Sequence, residues 1–152
     1  MSSINLRDIQ QKTKPVATET ATASGSISNL LNKDIQLFSA GFGDKQKEAF
    51  YSELNILFSA GVDIVSALEL IENEQSKAKD KQLFATIKTH VIGGDTLSGA
   101  ISKTNMFSPY EIYSLQIGEE SGQLANVLKE MSLFFSKKIQ QKKTEEYVKN
   151  KN

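Results

Sequence analysis

Residues 50–68 read FYSELNILFSAGVDIVSAL, and the rest of the fold can be worked out from this stretch. Phe50, Leu54, Leu57 and Phe58 recur at i, i+4, i+7 and i+8, which places them on one stripe of a 3.6-residue helix. Gly61 follows where a helix needs a left-handed C′ residue. Asp63 then suits the N-cap of a second helix whose apolar side chains are Ile64, Leu68 and Ile71, flanked by Val65, Ala67 and Leu70. Two helices joined by so short a turn should pack antiparallel. Toward the N-terminus, Asp44 is the expected N-cap of the first helix.

Downstream the helical pattern continues. A third helix is expected from Ala78 to Ile92, with Leu83, Phe84, Ile87 and Val91 facing inward and Gly93-Gly94 ending it. Asp95 is the expected cap of a short fourth helix carrying Leu97, Ala100 and Ile101. Ser108-Pro109-Tyr110-Glu111 has Ser at N-cap, Pro at N1 and Glu at N3, a capping box that starts a fifth helix at Pro109. That helix carries Ile112, Tyr113, Leu115 and Ile117 and runs into Gly118-Glu119-Glu120-Ser121-Gly122. The last helix carries Leu124, Val127, Leu128, Met131, Phe134, Phe135 and Ile139 and is expected to continue past Lys143, about 24 residues or roughly 36 Å. Strand alternation of useful length is absent. The fold class is therefore all-α, a compact antiparallel bundle of about six helices.

Three segments follow from composition. Residues 1–43 read as a flexible, disordered N-terminal arm, because PVATETATASGSIS at 15–28 has almost no large apolar side chain with which to offset its ordering entropy. Ile4, Leu6 and Ile9 suit either a short anchor or an unfolded tail, and Leu30, Leu31, Ile35, Leu37 and Phe38 suggest a short ordered lead-in. Deleting the arm is expected to leave thermal stability nearly unchanged. Residues 44–143 form the bundle, and 144–152 a basic C-terminal tail. The 152 residues carry 18 basic and 18 acidic side chains, yet residues 44–128 have a net charge of −5 and 129–152 of +4. Lys137, Lys138, Lys142, Lys143, Lys149 and Lys151 supply that excess, which suits a solvated helix end or a segment lying against anionic lipid headgroups.

The same counts exclude much chemistry. Without cysteine there is no disulfide framework, thiolate nucleophile or thiolate metal site. No secretory signal and no window of about 18 apolar residues appears, so the chain as given reads as soluble. His90, the only histidine, reads as a partly exposed helical residue rather than a base or metal ligand. GEESG at 118–122 lacks the Lys-Ser/Thr of a phosphate loop, and Glu119 and Glu120 would repel phosphate. The same pair suits a solvated helix end better than a Ca²⁺ site. A helix-turn-helix nucleic-acid binder is disfavoured by the acidic body. Enzyme, cofactor and metal readings thus have no support, and what remains is a helical interaction module.

Four motifs give that module a family resemblance. Phe50–Leu68 resembles the opening of the type II secretion system F domain, and Ile92–Ile101 (IGGDTLSGAI) resembles its Gly-x-Ser/Thr-Leu-Ser turn. Phe107-Ser108-Pro109 and Ile117–Leu124 (IGEESGQL) complete the match in order and spacing over about residues 46–140. The resemblance implies a non-enzymatic cytoplasmic six-helix domain of an inner-membrane platform protein of type II secretion or type IV pilus assembly. It also implies contact with a hexameric assembly ATPase, with other inner-membrane assembly proteins and pilin or pseudopilin subunits, and self-association into dimers or larger assemblies. No transmembrane helix follows Lys143, so the chain is expected to be a soluble fragment whose membrane part lies in a longer parent. The alternative is a soluble helical adaptor or a helix-turn-helix-like regulator. The residues singled out as family motif or partner interface are Gly61, Gly94, Leu97, Pro109, Gly118, Glu119, Glu120, Ser121, Gly122 and Leu124. Their glycines are expected to serve helix ends and close packing, and Glu119 and Glu120 to offer an acidic contact surface that can be neutralised at a cost to the fold under about 1 kcal/mol.

Overall fold

The computed structural model describes residues 42–151, so nearly all of the expected arm, with its Ile4–Ile9 anchor and its lead-in, lies outside the described residues. Six helices and no strand occur among the described residues: α1 Asp44–Ser59, α2 Ile64–Glu74, α3 Ala78–Ile92, α4 Leu97–Ser102, α5 Pro109–Ser121 and α6 Leu124–Lys151. The all-α architecture is as the sequence predicts. The α6 helix runs unbroken to Lys151, about 42 Å, and takes in residues 144–151 of the basic tail.

The long helices α1 and α6 form the spine. Asp44 at the start of α1 meets Lys142 late in α6 at 2.6 Å, and the rings of Tyr51 and Phe135 stack at 5.8 Å, so the two run antiparallel. Between them Phe50, Tyr51 and Leu54 face Leu128, Met131 and Phe135 in a core completed by Leu68, Ile71, Phe84, Ile87, Ile101 and Leu115. Leu57, Phe58, Ile64, Val91 and Val127 are half-buried around it. Of the large apolar side chains on α5 only Leu115 is fully buried; Tyr113 and Ile117 point to solvent.

Two caps shift by one residue from expectation. The N-cap of α1 is Gly43, whose N–H donates to Gln46 Oε1 at 3.0 Å, while Asp44 is the first helical residue and is drawn to Lys142. At α4 the N-cap is Thr96, with Gly99 N–H donating to its Oγ1 at 3.1 Å; Asp95 instead accepts from Lys103 at 2.6 Å and lies 3.7 Å from His90. Asp63 caps α2 as expected, accepting from the Ser66 N–H at 3.0 Å, a bond that holds its carboxyl below the usual range.

Phe42, assigned to the arm by composition, belongs to the core. It is 6% exposed and meets Phe84 and Phe107 edge-on at 5.8 and 5.6 Å. Phe42→Leu, which keeps the apolar character and loses both ring contacts, should lower stability by about 1 to 2 kcal/mol in urea titration. No measurable change would place Phe42 outside the cooperative unit.

A second expectation concerns pH. Burial, followed by a hydrogen bond to Glu74 and that residue's negative charge, pushes the Glu53 carboxyl up from 4.5 to about 7. The folded state therefore holds a proton that the unfolded chain has released, so this contribution to stability is full below about 4.5 and disappears as pH rises through about 7. Melting temperature should fall between pH 5 and pH 8 by an amount that Glu53→Gln abolishes. An identical slope in both proteins would assign the effect elsewhere.

Candidate functional site

The motif residues gather mainly where α3 hands over to α4 and α5 to α6. Helix α3 ends at Gly93, and Gly94 takes φ +108°, a region that L side chains rarely adopt. This reversal lets the Asp95 N–H donate back to His90 O at 3.1 Å and delivers Thr96 to cap α4. Leu97, 3% exposed, anchors the short helix in the core.

Glu119, on the other side of the joint, reaches across from α5. Its Oε2 accepts from the Leu97 N–H at 3.1 Å and its Oε1 from the Ser98 N–H at 2.9 Å. With Gly99 N–H bound by Thr96, the first three amides of α4 all have acceptors, two of them on a carboxylate at the favourable end of the helix dipole. Two motifs some twenty residues apart in sequence thus form one clamp. Glu120 points the other way: it is exposed, and its Oε1 accepts from Gln116 Nε2 at 3.1 Å one turn back. The acidic pair therefore divides, with Glu119 spent on the fold and Glu120 presented to solvent.

Beside the clamp, Gly118 lets α5 and α6 approach closely. A Cβ there would stand 2.8 Å from Val127 Cγ2 and 3.2 Å from Leu124 Cα. Ser121 Oγ donates to Ile117 O, Gly122 turns left-handed at φ +72°, and Gln123 N–H closes the helix end on Gly118 O at 2.8 Å. Leu124, 8% exposed, then opens α6. Gly61 (φ +91°) and Pro109 serve other joints, the α1–α2 turn and the start of α5.

The capping box at that last joint holds a feature which sequence reasoning missed. Glu111 accepts the Ser108 N–H at 2.7 Å, as a capping box requires, but it is fully buried and also accepts from Tyr51 Oη at 2.9 Å and Lys47 Nζ at 2.8 Å. Burial, with the Glu111 carboxylate beside it, pushes the Tyr51 phenol well above its ordinary range. Lys47 also lies over the Phe107 and Phe135 rings at 5.3 and 5.5 Å. A tyrosine inside an apolar stripe needs a partner, which is the one signal that could have pointed here.

Chemically, the clamp and the network order backbone and helices. Among the described residues no group of three or more His, Asp or Glu is arranged to hold a metal ion, and no helix is long and apolar enough to cross a membrane. Glu119→Gln should cost about 1 to 2 kcal/mol, as one oxygen loses its charge and the other becomes a donor facing an N–H. Glu120→Gln should stay within about 0.5 kcal/mol. Equal, negligible losses for both would mean that the clamp contributes nothing.

Residues 50–146 match the family described as "Type II secretion system (T2SS), protein F". The type IV pilus assembly protein PilC of Thermus thermophilus is 29% identical over 100 residues, which cover 66% of this chain and 25% of that protein. PilC of Pseudomonas aeruginosa is 29% identical over 86 residues, 57% of this chain and 23% of that protein. The matched part of the chain spans about a quarter of the length of these relatives.

Proposed function

The chain belongs to the type II secretion system protein F family, and from that premise we propose that its six-helix domain is the partner-binding cytoplasmic part of an inner-membrane platform protein. It works without catalysis, docking a hexameric assembly ATPase and passing its movement toward pilin or pseudopilin subunits; membrane segments belong to the parent protein. One observation carries this reading: the family match begins in α1 and ends in α6, so it takes in the bundle from Phe50 onward, and the motif residues within it hold the joints of that bundle. Glu111, buried, and Glu119, half-buried, are bound by Lys47, Tyr51 and backbone amides. That arrangement suits a rigid adaptor better than a site for proton transfer, and it leaves the outer faces for partners.

The test is co-purification of the assembly ATPase with the full-length parent from membranes, with and without residues 42–151. Capture should fall by about tenfold or more without the domain, and the isolated chain should hydrolyse no ATP above background. Undiminished capture by the deleted parent overturns the reading.

A further inference from the structure

Where the start of α5 crosses the middle of α6 there is a pocket of about 380 Å³ whose aromatic wall lies outside the family motifs. Phe134 and Phe135 stand edge to face at 5.1 Å, and Tyr110 leans on Phe134, also at 5.1 Å, so the wall is aromatic. Charge is laid over that wall unevenly. Its two carboxylates already hold cations, Glu111 with Lys47 and Asp44 with Lys142. Lys138 is different: its Nζ lies over the rings of Phe134 and Phe135 at 5.0 and 5.7 Å, and among the described residues it forms no salt bridge. Among the charged side chains that line the pocket, Lys138 alone is thus left without a carboxylate partner, and it stands on an aromatic platform. Tyr110 is 54% exposed and leads onto an exposed strip of α5, Tyr113 and Ile117, at i+3 and i+7 from it.

We propose that this pocket is a docking port for an acidic peptide segment of a partner protein, one in which an apolar or aromatic side chain is followed by Asp or Glu. The apolar side chain packs on Phe134 and Tyr110, the neighbouring carboxylate pairs with Lys138, and the chain continues along Tyr113 and Ile117. Charge decides the occupant. A single unpaired cation flanked by two carboxylates suits one acidic side chain and disfavours the dense phosphates of nucleic acid. A concave pocket of this size takes one or two side chains, whereas a flat lipid surface cannot enter it.

The inference rests on the partner-binding reading, and the test separates the two. The probe is the acetylated, amidated hexapeptide Gly-Phe-Asp-Leu-Gly-Ser, with Gly-Phe-Lys-Leu-Gly-Ser as its basic twin, titrated into the whole ¹⁵N-labelled chain. The acidic peptide should saturably shift the amide signals of Tyr110, Phe134 and Lys138 and bind about tenfold tighter than its twin. Lys138→Glu should reverse that preference, and Lys138→Arg should preserve it. Absence of saturable shifts, equal binding of the twins, or shifts centred on Lys149 and Lys151 overturns the proposal. So does the same shift pattern produced by anionic vesicles, which makes the occupant a membrane, or a self-association lost in Lys138→Glu, which makes it a second copy. In the full-length parent, loss of ATPase capture on Lys138→Glu supports the port. Undiminished capture removes the port and leaves the partner-binding reading standing, and failure of the unaltered parent to capture the ATPase removes that reading instead.

Discussion

Glu111→Ala is expected to be the most damaging single substitution in the bundle. It removes the only acceptor that serves Tyr51 Oη, Lys47 Nζ and the Ser108 N–H together, and it leaves an ammonium 13% exposed without its counter-charge. Stripping one member from a buried ion pair costs about 3 to 5 kcal/mol, because the partner stays behind desolvated. For a domain of this size that corresponds to a fall in Tm of roughly 12 to 20 °C by calorimetry. A double-mutant cycle with Lys47→Met supplies the contrast. With the stranded charge gone, the pair of changes should cost less than their sum, by about 1 to 3 kcal/mol. A loss below 1 kcal/mol for Glu111→Ala alone would show that water or another group takes over, and that the network does not organise the α1–α5–α6 junction.

Gly118→Val should be nearly as costly, for a reason of shape. The first added carbon would stand 2.8 Å from Val127 Cγ2, a side-chain end that can yield, but also 3.2 Å from Leu124 Cα, which moves only if α6 moves. Overpacking with a branched side chain is expected to cost about 3 kcal/mol. Gly118→Ala should lose less, since the helix gains about 1 kcal/mol of propensity against the strain. Val127→Ala should relieve part of the strain for Gly118→Ala and little of it for Gly118→Val. Chemical denaturation of the four proteins reads this out, and a Gly118→Ala protein more stable than the original would show that the helices part freely.

Features written locally were legible in advance. Gly61, Asp63 and the Ser108–Glu111 box act on atoms within a few residues, so spacing alone placed them, and the period of Phe50, Leu54, Leu68 and Ile71 fixed which faces turn inward. Features decided by distant partners were not. Gly43 and Thr96 take the caps, while Asp44 pairs with Lys142, 98 residues away, and Asp95 with Lys103. The motif containing Glu119 was identifiable, whereas its bonds to Leu97 and Ser98 depend on how α5 lies against α4. Phe42 looked like arm because its neighbours in sequence are small and polar. Its neighbours in space are Phe84 and Phe107.

The last fully packed side chain of α6 is Phe135, and from Gln140 to Lys151 every residue is exposed. Neither glycine nor proline interrupts Leu124–Lys151, so the usual causes of a kink are missing. Asp44 still holds the helix at Lys142, and the nine residues beyond that contact extend about 14 Å, so a rotation of the helix about this point moves its end most. A tilt of about 10° there carries the Lys151 end through about 2 Å, more than one residue's rise along the helix. Whatever is fastened to that end receives small rotations of the bundle as displacement, magnified by the length of the arm.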